Sequence, residues 1–128
     1  MDPIANMLTS LITAQQVGKE RVAVPYSHFK EQLAGFLQKK KMISSTRVQE
    51  GTKAKLIISL AYQGKEPKIG QVRRLSSPGR RRYVKAGELP WAGGRPGFYV
   101  LSTSSGLMDE VEARRRGLGG ELVCEIWE

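Results

Sequence analysis

Four consecutive hydroxyl side chains, Ser102, Thr103, Ser104 and Ser105, stand before Gly106. Local turn and cap formation uses one or two hydroxyls, so a run of four leaves groups over for another purpose. A hydroxyl donates and accepts, and can meet a base edge, a ribose 2′-OH or a phosphate. Gly106 would let a partner approach the backbone closely. Taken alone, the run also reads as an ordinary polar loop. Upstream lie Arg73, Arg74, Arg80, Arg81, Arg82 and Lys85, with Pro78-Gly79 turning the chain between them. Arginine forks match phosphate oxygens, and their planes stack on bases. Tyr83 beside that run is either a stacking platform for an unpaired base or a strand aromatic of the core.

Catalytic chemistry finds little support. His28 is the single histidine and Cys124 the single cysteine, and neither has paired ligand spacing around it. His28 reads as an exposed residue near a helix start, and Cys124 as a small core hydrophobe. Asp109, Glu110 and Glu112 fall in the first turn of an expected helix, where negative charge offsets the dipole. Gly117-Leu118-Gly119-Gly120 lacks the Lys and hydroxyl of a phosphate-binding NTPase loop. A small nuclease would need an acid cluster inside the basic region, and none is there. No enzyme, metal or cofactor is expected, and no small-molecule substrate.

The charge favours a polyanion. The 128 residues hold 21 Lys and Arg against 12 Asp and Glu. Residues 39–95 carry fifteen basic and three acidic side chains, more than the whole excess. Such a field attracts nucleic acid through Coulomb forces and counterion release. An acidic membrane surface, an acidic protein or a simple solvated face fit the same charge. No run approaches a membrane span, the start lacks a secretory pattern, and the single cysteine excludes a disulfide framework. The expected compartment is therefore the cytoplasm.

The elements that must position these residues follow from periodicity and caps. Asp2 and Pro3 open a helix with Ile4, Met7, Leu8, Leu11 and Ala14 at helical spacing and Gly18 as its stop. Arg21 to Tyr26 alternates like a strand. Ser27 caps a second helix with Phe29, Leu33, Phe36 and Leu37 on one face. Lys39, Lys40 and Lys41 follow in its last turn. Met42 to Val48 and Ala54 to Tyr62 read as strands joined by Glu50-Gly51-Thr52. A polar linker is expected over 63–68. Beyond it come strands at 69–76 and 83–84, a turn at Ser77-Pro78-Gly79, and a loop over 92–97. A strand over 98–102 runs into the hydroxyl loop. A short helix is capped by Asp109 and stopped by Gly117. The last strand alternates, with Leu122, Cys124 and Ile126 on one face and Val123, Glu125 and Trp127 on the other. The expected fold class is α+β: an N-terminal domain, 1–62, of helix-strand-helix-strand-strand order, and a C-terminal β-rich domain, 69–128, of mostly antiparallel strands with a short helix.

In order along the chain, these motifs resemble the bacterial small-subunit ribosomal proteins of family S-eight. The clearest stretch is Gly97 through Met108 followed by Ala113-Arg114. It matches a glycine, two aliphatics, Ser-Thr-x-x-Gly, two aliphatics, then a small and a basic residue. Asp2-Pro3-Ile4-Ala5 with Met7-Leu8-Thr9 also match. So do Ser77-Pro78-Gly79 with Arg81 and Tyr83, Glu88-Leu89-Pro90, and Gly117-Leu118-Gly119-Gly120-Glu121. The resemblance spans nearly the whole chain. It implies primary binding to an irregular helix in the central domain of small-subunit rRNA, and a part in assembling the platform. It also implies neighbouring ribosomal proteins as partners, residence in cytoplasmic ribosomes, and in many bacteria repression of the protein's own operon through its mRNA. No membrane partner is implied. Carried over by position, the RNA contacts are Ser102, Thr103, Ser104, Ser105, Gly106, Tyr83, Arg80, Arg81, Gly120 and Glu121. Thr9, Lys30 and Lys53 join them from the N-terminal half. Glu121 would accept from a base or a 2′-OH, or order the serine loop. The chain departs from the pattern at Thr9-Ser10-Leu11-Ile12-Thr13, where two arginines are absent, and at Ser105, which replaces a basic residue. Phosphate contacts are thus expected to be shifted toward residues 73–85.

Overall fold

A computed structural model describes residues 2–90 and 96–128. The chain divides into two compact units, Pro3–Ile69 and Gly70–Glu128 together with Asp2.

The first unit begins with α1, Pro3–Gln16, whose Ile4, Met7, Leu8, Leu11 and Ala14 are all buried. That is the stripe expected from helical spacing. β1, Arg21–Pro25, leads to α2, His28–Lys39. Ser27 caps α2 by accepting from the Lys30 amide at 3.2 Å. Leu33, Ala34 and Leu37 form its buried face, while Phe29 and Phe36 are only half-buried. β2, Ile43–Gln49, and β3, Lys55–Leu60, pair antiparallel around the Gly51 turn. The three strands lie in the order β1-β3-β2. Along β3 the burial alternates, with Leu56, Ile58 and Leu60 buried. This is the period-2 pattern of a sheet covered by helices on one side. Two short strands, β4 (Tyr62–Gln63) and β5 (Glu66–Pro67), then make a tight hairpin in the polar segment after β3.

The second unit contains β6 (Gln71–Arg74), β7 (Tyr83–Val84), a 3₁₀ turn at Ala86–Glu88 and β8 (Gly97–Thr103). It continues with β9 (Gly106–Asp109), α3 (Glu110–Arg116) and β10 (Gly120–Trp127). The sheet order is β6-β10-β8-β9, with β7 also on β10. Asp109 caps α3 by accepting from the Glu112 amide, and Gly117 ends it in the left-handed region. Glu110 does more than face the helix dipole: it is buried, and its carboxylate accepts from the Tyr99 amide. Leu101, Met108, Ala113 and Leu122 form the core under α3. The α+β class is as expected. Strand β9 was not foreseen, because its four residues, Gly106–Asp109, lie between the hydroxyl run and the Asp109 cap and are too few to show a period of their own. Of the loop expected over 92–97, residues 92–95 lie outside the described residues. Among the described residues no helix is long and apolar enough to cross a membrane.

Candidate nucleic-acid interface

The interface is built on a slip in strand register. β10 pairs with β8 as Glu121↔Ser102 and Leu122↔Leu101, then as Cys124↔Val100, so Val123 is an extra residue. Residues directly opposite each other in a sheet share a face, and one inserted residue exchanges the faces beyond it. Leu122 therefore lies with Leu101 on the α3 side, apart from Cys124 and Ile126. This corrects the single alternating face expected for Leu122, Cys124 and Ile126. Glu121 shares the opposite face with Ser102 on one side and Tyr83, its partner in β7, on the other. Tyr83, Glu121 and Ser102 thus form one row across three strands. Strict alternation along the sequence would have hidden that row.

Hydrogen bonds hold the row in place. The Ser76 hydroxyl, fully buried, donates to Glu121 Oε2 at 2.6 Å and accepts from the Arg82 amide at 3.0 Å. Arg81 Nη1 reaches the same carboxylate oxygen at 3.0 Å. The hydrogen bond and the charge of Glu121 raise the Arg81 guanidinium above its ordinary value. At the bulge, the Val123 carbonyl accepts from the Leu75 and Ser76 amides and from Arg74 Nη1. Arg74 Nε also meets Asp2 at 3.0 Å. Arg74 therefore ties the chain start to the residue that sets the register. Ser76 was missed as a functional candidate, and Arg74 was read only as one of the phosphate-binding cations, not as a residue that holds the bulge. Their partners lie 45 and 49 residues away, and no local signal marks such pairs.

The hydroxyl run divides by role. Thr103 Oγ1 donates to the Gly106 carbonyl at 2.8 Å and accepts from the Ser105 amide at 3.1 Å. Its hydroxyl is consumed in closing the turn. Ser104 and Ser105 form the tip and are exposed; among the described residues their hydroxyls make no protein hydrogen bond. Ser102 is half-buried in the row. Gly106 adopts φ +106°, with open space where a Cβ would stand. That backbone conformation favours glycine whatever the space around it. At Gly120 two strands of the sheet pack closely: a Cβ there would lie 2.3 Å from the Ser102 carbonyl oxygen.

The basic turn also divides. Reciprocal backbone bonds between Ser77 and Arg80 at 3.0 Å close it. Arg73 pairs with Glu125, Arg74 with Asp2 and Arg81 with Glu121. Arg80, Arg82 and Lys85 are exposed, with no ion pair among the described residues. Tyr83 is 69% exposed, which decides against the core reading. Thr9 and Lys53 are exposed in the first unit. Lys30 is buried, and its Nζ donates to the Pro25 carbonyl at 3.0 Å. His28 is exposed. Cys124 is buried, and burial pushes its thiol up to about 12.

An acid clamped by a serine and an arginine, an exposed aromatic and a tip of unused hydroxyls offer charge and hydrogen bonds. These are the means of a binding protein. The sequence profile of the family Ribosomal protein S8 matches residues 2–127. Small ribosomal subunit protein uS8 of Thermus thermophilus is 42% identical, over 98% of each chain. The protein of the same name from Saccharophagus degradans is 41% identical over 98% of this chain and 97% of its own. The chain belongs to the ribosomal protein S8 family, whose members are structural, non-enzymatic constituents of the small ribosomal subunit in the cytoplasm.

Proposed function

We propose that this chain is a primary rRNA-binding protein, and that its second unit recognises an irregular helix in the central domain of the small-subunit rRNA. In this reading it helps assemble the platform beside neighbouring ribosomal proteins. The observation that carries the reading is the row Tyr83, Glu121, Ser102 next to the exposed Ser104–Ser105 tip. Tyr83 stacks on a base freed from pairing, which a regular duplex cannot supply. Ser102, Ser104 and Ser105 meet base edges or 2′-OH groups. Glu121 acts chiefly through Arg81 and Ser76, which already occupy its carboxylate. Arg80 and Arg82 supply phosphate contacts that carry no sequence information. An operon mRNA that repeats the same irregular helix would occupy the same surface, and translational repression would follow from competition between the two RNAs.

The test compares the irregular rRNA helix with a regular duplex of equal length, by direct binding. The wild type should prefer the irregular helix. Ser104→Ala should weaken that binding by ~1–3 kcal/mol and leave thermal unfolding unchanged. Equal wild-type affinity for the two RNAs would overturn the proposal.

A further inference from the structure

The two units share the net charge of this chain unequally. Pro3–Ile69 holds eleven Lys and Arg against four acids, a net of +7. The second unit holds ten against eight, a net of +2. The unit without the hydroxyl tip is the strongly basic one.

Part of that charge stands on the sheet face opposite the buried Leu56 and Ile58. The register places Ala23, Ile57 and Arg47 in one row, with Arg21 and Lys55 in the rows on either side. The face is made by positions 21, 23 and 25, 55, 57 and 59, and 45, 47 and 49, and none of them is acidic. Among the described residues, Arg21, Arg47 and Lys55 form no ion pair and no side-chain hydrogen bond. Arg21 and Arg47 flank a shallow depression of about 230 Å³ floored by Ala23 and Ile57. With strands ~4.8 Å apart and ~3.4 Å per residue, the two arginine backbones stand ~12 Å apart across β3. Lys55 stands ~8 Å from Arg47 on the same arithmetic.

We infer that this open sheet face is a second RNA site that holds the sugar–phosphate backbone of a single-stranded segment. The depression seats one sugar or base on Ile57. The arms of Arg21 and Arg47 close on the phosphates to either side, as guanidinium forks do. The face has no aromatic side chain, so it holds RNA without reading it. A protein partner fits less well, because the floor is too shallow for the buried anchor that protein interfaces rely on. The inference rests on the RNA-binding reading above and adds a contact outside the unit that carries it.

The experiment uses the full chain with Arg21→Gln and Arg47→Gln combined, and full-length small-subunit rRNA titrated over a range of salt. Affinity at low salt should fall tenfold or more. The plot of log affinity against log salt should flatten by about 1.5, the share of two phosphates. Lysine at both positions should restore the slope, and thermal unfolding should match the wild type. The preference for the irregular helix over a regular duplex should survive. Unchanged affinity and slope in a variant whose wild type binds rRNA would overturn this inference alone. Loss of binding to other small-subunit proteins with RNA binding intact would also overturn it, and assign the face to protein. A wild type that binds no RNA would overturn both proposals, whereas one that binds RNA with no preference for the irregular helix would overturn only the earlier one.

Discussion

The two units differ in how they use their cations, although the second also leaves Arg80, Arg82 and Lys85 without an ion pair among the described residues. In the second unit Arg73, Arg74, Arg81, Arg115 and Arg116 each meet a carboxylate of the same unit. In the first unit Arg21, Arg47 and Lys55 stand on a sheet face without an acid. Exposed ion pairs contribute roughly 0–1 kcal/mol to stability, so the pairs of the second unit matter little as energy. The Arg81 pair matters as geometry, since together with the buried Ser76 hydroxyl it fixes the Glu121 carboxylate. Unpaired cations fix little, but they keep their whole field for a polyanion. Shape is set where charge is neutralised, and attraction is strongest where it is not.

This contrast can be broken at its foundations. Gly120→Ala should have the largest effect. Its Cβ would meet the backbone of β8, which cannot move aside as a flexible side chain can. A loss of about 3 kcal/mol in the second unit is expected, with loss of irregular-helix preference, read by urea unfolding and binding together. If Gly120→Ala unfolds like the wild type, the close approach of β10 to β8 is not a constraint.

Arg74→Met should come next. It removes the side chain that bonds both the Val123 carbonyl and Asp2, each partly buried. About 2 kcal/mol of stability should be lost. Discrimination between irregular helix and duplex should fall, while affinity for the duplex holds. Arg74→Lys should recover part of the discrimination. Parallel loss on both RNAs would show that Arg74 supplies charge and not register.

The smallest effect sharpens the contrast inside one turn. Arg80→Ala, at an unpaired cation, should weaken all RNAs alike and lower the salt slope by about one. Arg81→Ala releases Glu121, and should reduce the preference for the irregular helix with a smaller change of slope. Identical salt profiles for the two variants would mean that pairing with Glu121 does not set Arg81 apart.

Much of this molecule was legible without coordinates. The buried stripe of α1, the Ser27 and Asp109 caps, the Gly117 stop and the Gly51 hairpin are all local. Each is fixed by residues within about a turn of one another, through helical period, side-chain capping or turn preference. The ordered motifs from Asp2 to Glu121 likewise carried the family. Less of the candidate interface was legible. Four hydroxyls looked equivalent, yet Thr103 is spent on its own turn while Ser104 and Ser105 remain exposed. Six clustered cations looked equivalent, yet three of them are paired. Lys30, a candidate contact by position, keeps its ammonium on the Pro25 carbonyl.

The sequence by itself determined the helices, the longer strands, the caps, the α+β class and the family, because those depend on neighbours along the chain, whereas β9 and the β4–β5 hairpin were too short to show. Tertiary structure alone decided which side of the sheet Glu121 occupies. One extra residue at Val123 does that, and a bulge exists only relative to a partner strand. Tertiary structure also divided the basic stretch 39–95 between two units and gave the larger net charge to the first. Charge is counted along the chain, but it acts through space. Which cations remain unpaired depends on which acids the fold brings beside them.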